Sequence, residues 1–272
     1  MLLTGLLWSL IGVVIKTTDA HPLVISCIRS FTASVCLFAY LRGKPRFVFT
    51  RAQCVGALCY AATLTTFVTA NKLTTSANAI LLQYSAPIFV VILNRLILKE
   101  SLRRFDFISM GGVTIGLVFL MSGSIGYGSL IGNIVALSSG FFYAAMMVSL
   151  KLHKTGSQVE TFVLGNFMAA LIGFPFLIMY PIALSKVPPV IFLGAFLIAL
   201  PYALFARASI RASALDLALI PIVEPLLNPV WVYLVAGERP SALTYVGGAI
   251  LLGVITCRSV YVLKRNPDAA NS

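Results

Sequence analysis

Residues 76–98 read Ser76-Ala77-Asn78-Ala79-Ile80-Leu81-Leu82-Gln83-Tyr84-Ser85-Ala86-Pro87-Ile88-Phe89-Val90-Val91-Ile92-Leu93-Asn94-Arg95-Leu96-Ile97-Leu98. One charge, Arg95, stands near the end of this otherwise uncharged run. A bilayer core about 30 Å thick takes about 20 mostly apolar residues per helix, so the stretch predicts a membrane-spanning helix. Pro87 interrupts it near the middle. An interior proline removes one main-chain hydrogen bond and frees a carbonyl, which lipid leaves unsatisfied. The freed carbonyl is expected to face a cavity or a neighbouring helix.

The rest of the chain repeats this pattern. Apolar residues make up 59% of the 272, charged residues 10%, and the mean hydropathy is +0.97. Soluble domains run near 45–50% apolar and 25% charged, so lipid must be the solvent for the surface. Ten segments approach the spanning length: 1–17, 23–41, 52–71, 76–98, 105–122, 130–150, 160–182, 187–206, 214–236 and 241–262. The connections are too short to hold an extramembrane domain or a soluble catalytic site. The first segment is short and starts at Met1, which leaves room for an upstream cytoplasmic tail. It lacks a basic flank and a small-residue cleavage site, so a removable signal is not expected.

The net charge of +12 does not point to nucleic acid, because the basic residues fall between the apolar runs and not on one polar face. With a cytoplasmic N-terminus, fourteen of the twenty Lys and Arg fall on the cytoplasmic side and three, Lys72, Lys186 and Arg239, on the other. The positive-inside rule gives this bias. Ten is an even number of spans and so puts both termini in the cytoplasm, and the alternation of the basic residues in turn supports the count of ten. The five cysteines lie in or beside apolar runs without ligand spacing, and read as small packing residues.

Two halves echo each other. Gly5-Leu6-Leu7-Trp8 with Lys16 returns as Gly140-Phe141-Phe142-Tyr143 with Lys151, at an offset of 135. Ala86-Pro87 with Glu100 returns as Glu224-Pro225 with Glu238, at an offset of 138. Gly-Gly pairs follow each, at 111–112 and 247–248. The fold class expected is an all-α membrane protein whose ten transmembrane helices form two inverted five-helix repeats: 1–126, 127–265, and a cytoplasmic tail 266–272. Inverted repeats suit alternating access, with interrupted helices at matching positions near the binding site. Pro87 and Pro225 are the expected helix-break or hinge positions.

These residues resemble the drug/metabolite transporter superfamily, and its EamA-type ten-helix members in particular. Thr74 through Phe89, continuing to Lys99-Glu100, is similar to the family's fourth helix and following turn. Ile222-Val223-Glu224-Pro225 through Gly237-Glu238-Arg239 is similar to the counterpart in the second half. The resemblance implies a secondary transporter or permease with a central cavity, moving a small organic metabolite such as an amino acid, by export or uptake. It implies no cofactor.

Ionisable groups within a membrane are costly, about 2.5–3.5 kcal/mol each on insertion scales, and are functional candidates by default. Glu224, midway along the ninth segment, is expected to line the cavity and bind a cationic group or carry a proton; a structural carboxylate that caps the Pro225-distorted backbone or pairs with Arg29 is the alternative. Arg29 is a candidate anchor for an anionic group, or one half of a fixed interhelical pair. Trp8, Tyr84, Tyr143 and Tyr202 are candidates to stack on substrate, and Asn71 and Asn228 to donate hydrogen bonds, with plain packing the competing reading. Lys16 and Lys151 are expected to reach the interface. Glu238 is expected to meet the nearby Arg239, and Gly112-x-x-x-Gly116 to allow close helix packing. Catalytic residues, metal ligands and a nucleotide-binding loop are not found. Besides the substrate, the partner expected is lipid, with transport driven by the substrate gradient or by protons as a coupling ion, in a monomer or homodimer. The competing classes are a non-transporting membrane scaffold or receptor, and an intramembrane enzyme.

Overall fold

The structure is a computed structural model describing residues 2–97, 104–122, 130–152, 158–208, 224 and 227–265. Among these residues all regular structure is helical. The elements are α1 (Leu2–Ser9), α2 (Ile11–Thr17), α3 (Pro22–Tyr40), α4 (Arg51–Leu73), α5 (Ser76–Gln83), α6 (Ala86–Ile97), α7 (Arg104–Ser122), α8 (Leu130–Leu152) and α9 (Gln158–Met179). A 3₁₀ turn (Leu184–Lys186), α10 (Val187–Phe192), a π segment (Leu193–Ala199) and α11 (Leu200–Ala208) follow in series. α12 (Leu227–Ala236) and α13 (Ala242–Arg265) are the last described elements. Glu100 and Pro225 lie outside the described residues.

Local chemistry sets the starts. Pro22 opens α3 where its missing N–H is no loss, and the His21 imidazole accepts from Leu23 N. Thr50 and Thr75 cap α4 and α5 by accepting from Gln53 N and Asn78 N. Among the described residues, six helical stretches are long and apolar enough to cross a bilayer: Pro22–Tyr40, Arg51–Leu73, Ser76–Ile97, Leu130–Leu150, Gln158–Met179 and Leu184–Leu204. Shorter apolar helices occupy Leu3–Thr17, Leu227–Ala236 and Ala242–Val254.

The packing has a pattern of its own. α3 lies along α9, and α7 along α13; α4 packs on both α8 and α9. Exchanging the two halves maps α3 onto α9 and α7 onto α13, so those pairs map onto themselves. The images of the α4 contacts are α11 against α1 and the π segment against α3, and both are present. The interior holds Ile15, Ile25, Leu37, Tyr60, Ile80, Leu82, Phe162 and Leu193, each fully or nearly fully buried.

Glycines permit the closest approaches. A Cβ on Gly194, in the π segment, would stand 2.3 Å from the Arg29 carbonyl oxygen. Gly194→Ala is therefore expected to cost about 1–3 kcal/mol, read as a lowered unfolding midpoint in detergent. The Gly112/Gly116 pair meets α13 as its spacing predicts: a Cβ on Gly112 would come 2.7 Å from Val254, and one on Gly116 3.0 Å from the Gly247 carbonyl.

Candidate functional site

The α5–α6 span is broken at Tyr84 and Ser85, just before Pro87. Proline at position 87 leaves the Gln83 carbonyl without its usual helical donor. That carbonyl faces α8, close enough that a Cβ on Gly140 would lie 2.9 Å away. The freed group thus meets a neighbouring helix. The break also turns Tyr84 inward, and its hydroxyl donates to Glu224 Oε2 at 3.0 Å.

Around this pair the bundle gathers its aromatic rings. Tyr202 of α11 contacts Trp8 of α1 at 5.3 Å between centroids, Tyr60 of α4 at 5.3 Å and Phe162 of α9 at 4.6 Å. Tyr60 and Phe162 are 5.1 Å apart. These tilted and edge-to-face arrangements match the ring quadrupoles. Tyr143 of α8 lies within electrostatic reach of Glu224 and Tyr202. Four of the predicted residues (Trp8, Tyr84, Tyr143 and Tyr202) therefore converge with Glu224. Tyr60 and Phe162 join them, although nothing in their sequence context separates them from packing aromatics.

Arg29 stands at the edge of this cluster, 1% exposed, and within electrostatic reach of Tyr60 and Tyr202. Its Nη2 donates to the Leu64 carbonyl at 2.7 Å, while its Nε has no hydrogen-bond partner among the described residues. No carboxylate pairs with it there; the interhelical ion pair with Glu224 is not formed. Asn166 donates to the Phe162 carbonyl at 2.9 Å and lies 3.5 Å from the Tyr60 hydroxyl, and its Oδ1 is also unpartnered among the described residues. Buried polar atoms are nearly always satisfied by protein, water or ligand. A donor on Arg29 and an acceptor on Asn166, each beside Tyr60, have the chemistry to bind a small polar guest.

Asn71 and Asn228 lie elsewhere, in a polar knot toward the Lys16 end of the bundle. The Ser76 hydroxyl is 2.8 Å from the Asn71 amide oxygen and 2.9 Å from that of Asn228. Asn228 Nδ2 donates to the Ser9 carbonyl at 3.0 Å, and Trp231 Nε1 to the Ser9 hydroxyl at 3.0 Å. Gly12 lets these groups meet: a Cβ there would be 2.3 Å from Ser76 Oγ and 2.5 Å from Asn228. Lys16 Nζ donates to the Thr74 carbonyl at 2.7 Å and pairs with Glu238 Oε2 at 3.3 Å. Glu238 Oε1 accepts from Ser76 N at 2.8 Å, and Lys72 Nζ donates to the Thr18 carbonyl. Glu238 therefore meets Lys16 and not Arg239, which instead lies over the Tyr233 ring at 5.6 Å. The sequence neighbour loses because Ser76 N and Lys16 supply a helix-start donor and a cation together.

Lys16→Met should leave the Glu238 carboxylate without its cation, at a cost of about 1–3 kcal/mol. The double variant K16M/E238M is expected to unfold at a higher temperature than K16M alone, since removing both partners strands neither. Equal midpoints for the two would show that the pair is not coupled.

The profile of the EamA-like transporter family matches the chain twice, over residues 1–122 and 130–259. A comparison with curated proteins gave no match. A crystal structure superposes with a TM-score of 0.66 over 97% of this chain and 96% of its own, at 17% sequence identity. That likeness carries the fold alone. The doubled family match covers both halves of the apolar helical bundle, and the chain belongs to the EamA-like transporter family, membrane transporters of the drug/metabolite transporter superfamily.

Proposed function

We propose that this chain is a secondary transporter that moves a small zwitterionic metabolite, an amino acid with a large apolar or aromatic side chain, by alternating access. The observation that carries this reading is the buried Arg29, unpaired with any carboxylate among the described residues, beside a ring cluster that ends in Glu224. A carboxylate answers Arg29 with charge-assisted hydrogen bonds. An ammonium answers Glu224 and the Asn166 oxygen. The rings of Trp8, Tyr60, Phe162 and Tyr202 suit an apolar side chain.

Ten crossings in two inverted halves, 1–126 and 127–265, frame this site in our reading. Support comes from the doubled family match and from the helix contacts that map onto one another when the halves are exchanged. The knot of Lys16, Glu238, Ser76, Asn71 and Asn228 acts as the seal at the extracytoplasmic end, and protons are the proposed coupling ion through Glu224. Pro87 and Pro225 act as the paired helix breaks. Both termini are then cytoplasmic and the host is the inner membrane.

The test is counterflow in proteoliposomes across amino acids, nucleosides and S-adenosylmethionine. Exchange of labelled phenylalanine, tryptophan, leucine or methionine, with none for the matching amines and for acids lacking the amino group, is expected. Exchange of nucleosides alone would refute the assignment of the zwitterion.

A further inference from the structure

The connection between α3 and α4 presents Arg42, Lys44 and Arg46, with Arg51 at the start of α4, and all four are exposed. Between Arg46 and Arg51 two apolar side chains also face outward, Val48 at 46% exposed and Phe49 at 65%. The loop is tied down at several points. Gln53 Oε1 accepts from Val48 N at 3.1 Å and Phe49 N at 2.8 Å, and Arg46 N donates to the Glu160 carboxylate on α9. Arg42 and Phe49 hold φ of 54° and 47°, conformations that a non-glycine residue keeps only where its surroundings enforce them. The cations therefore sit on a fixed frame.

Directly beneath lies an apolar groove of about 360 Å³ between α3 and α9. Phe31, Val35 and Phe38 form one wall, Leu164 and Phe167 the other, and Phe47 of the loop closes the loop end. From Phe31 to Phe38 the groove runs about 10 Å along the helix axis, a depth within one leaflet. Lipid tails touch every outward apolar face, so the groove by itself selects nothing. The cations at its mouth do, because a basic cluster at a helix–loop boundary attracts an anionic head group.

We propose that this loop and groove form a binding site for one anionic phospholipid, with its phosphodiester among Arg42, Lys44, Arg46 and Arg51 and one acyl chain between α3 and α9. The site is separate from the aromatic cluster and stands whether or not the transport reading does. Its two parts divide the work: charge sets head-group preference, and the groove holds the chain.

The experiment uses the full chain in phosphatidylcholine vesicles containing trace spin-labelled phosphatidylglycerol or spin-labelled phosphatidylcholine, and compares the motionally restricted fractions. The wild type is expected to favour phosphatidylglycerol about fivefold or more, the size of one strong basic contact at a charged surface, and to lose that preference in 0.5 M salt. R42Q/K44Q/R46Q should bring the two lipids within twofold of each other. Leu164→Trp, which fills the groove and leaves every charge in place, should lower the preference as well. Equal fractions for the wild type would overturn the proposal. So would a preference that survives in both variants, which would place the lipid elsewhere, or protection of the groove that scales with protein concentration, which would assign it to a second copy of the chain. Unfolding midpoints identify any variant that fails to fold, and the wild-type comparison decides without it.

Discussion

Arg29→Gln should reduce amino-acid exchange by at least about thirtyfold and leave the unfolding midpoint unchanged or raised. A charge-assisted contact to a buried partner is worth about 2–5 kcal/mol on truncation, and each 1.4 kcal/mol is tenfold. The stability forecast has the opposite sign. A buried cation held by one carbonyl, that of Leu64 at 2.7 Å, is a desolvation burden, and a neutral side chain lifts it. Arg29→Lys should not restore exchange, because an ammonium lacks the planar fork that grips a carboxylate on two sides. If activity and midpoint fell together, Arg29 would be holding the helices and not the guest. If exchange stayed at the wild-type level, the carboxylate would bind elsewhere.

Glu224→Gln is the second large effect. Glutamine keeps an oxygen for the Tyr84 hydroxyl, now 3.0 Å from Glu224 Oε2, so the geometry should persist while the charge goes. Exchange of zwitterions is expected to fall at least tenfold, and stimulation by an imposed proton gradient to vanish. Tyr84→Phe removes the hydrogen bond to Glu224, worth about 0.5–1.5 kcal/mol, and should reduce exchange less than about tenfold while keeping the response to the gradient. Proteoliposome uptake with and without a pH step measures all three. A Glu224→Gln protein that still answers the gradient would remove this carboxylate from coupling.

The helices were legible in the chain because lipid allows so few solutions. Apolar runs of spanning length must be helical when no water is at hand to satisfy the backbone, and Thr50, Thr75 and Pro22 mark starts by their own side chains. Residue types at the site were partly legible too: Trp8, Tyr84, Tyr143, Tyr202 and Glu224 converge, and each stood out by repeat position or by polarity within an apolar run. Tyr60 and Phe162 did not, since an aromatic residue in a hydrophobic segment is ordinarily packing, and only the convergence of α4, α9 and α11 gives them a shared face. Asn71 and Asn228 were recognisable as buried donors, but their partners Ser76 and Ser9 depend on three-dimensional neighbours. The Lys16–Glu238 pair was hidden for the same reason: local spacing favoured Arg239, and the tertiary fold favoured a cation from the far end of the chain. The α1–α2 break at Leu10 and the wide turns after Leu193 were not read from the chain, although Gly194 within those turns and Pro201 just beyond them mark the second.

Those wide turns have a consequence for motion. A π segment stores one surplus residue per turn against the α-helix around it. Shifting the surplus toward the C-terminus by one turn would swing each side chain it passes through about 100°, with the ladder of backbone bonds re-formed at every step. Tyr202 lies three residues beyond Ala199, the last residue of the segment, directly in the path of such a shift. A ring so placed would turn with that shift, and the helix would not have to unwind in lipid for it to do so.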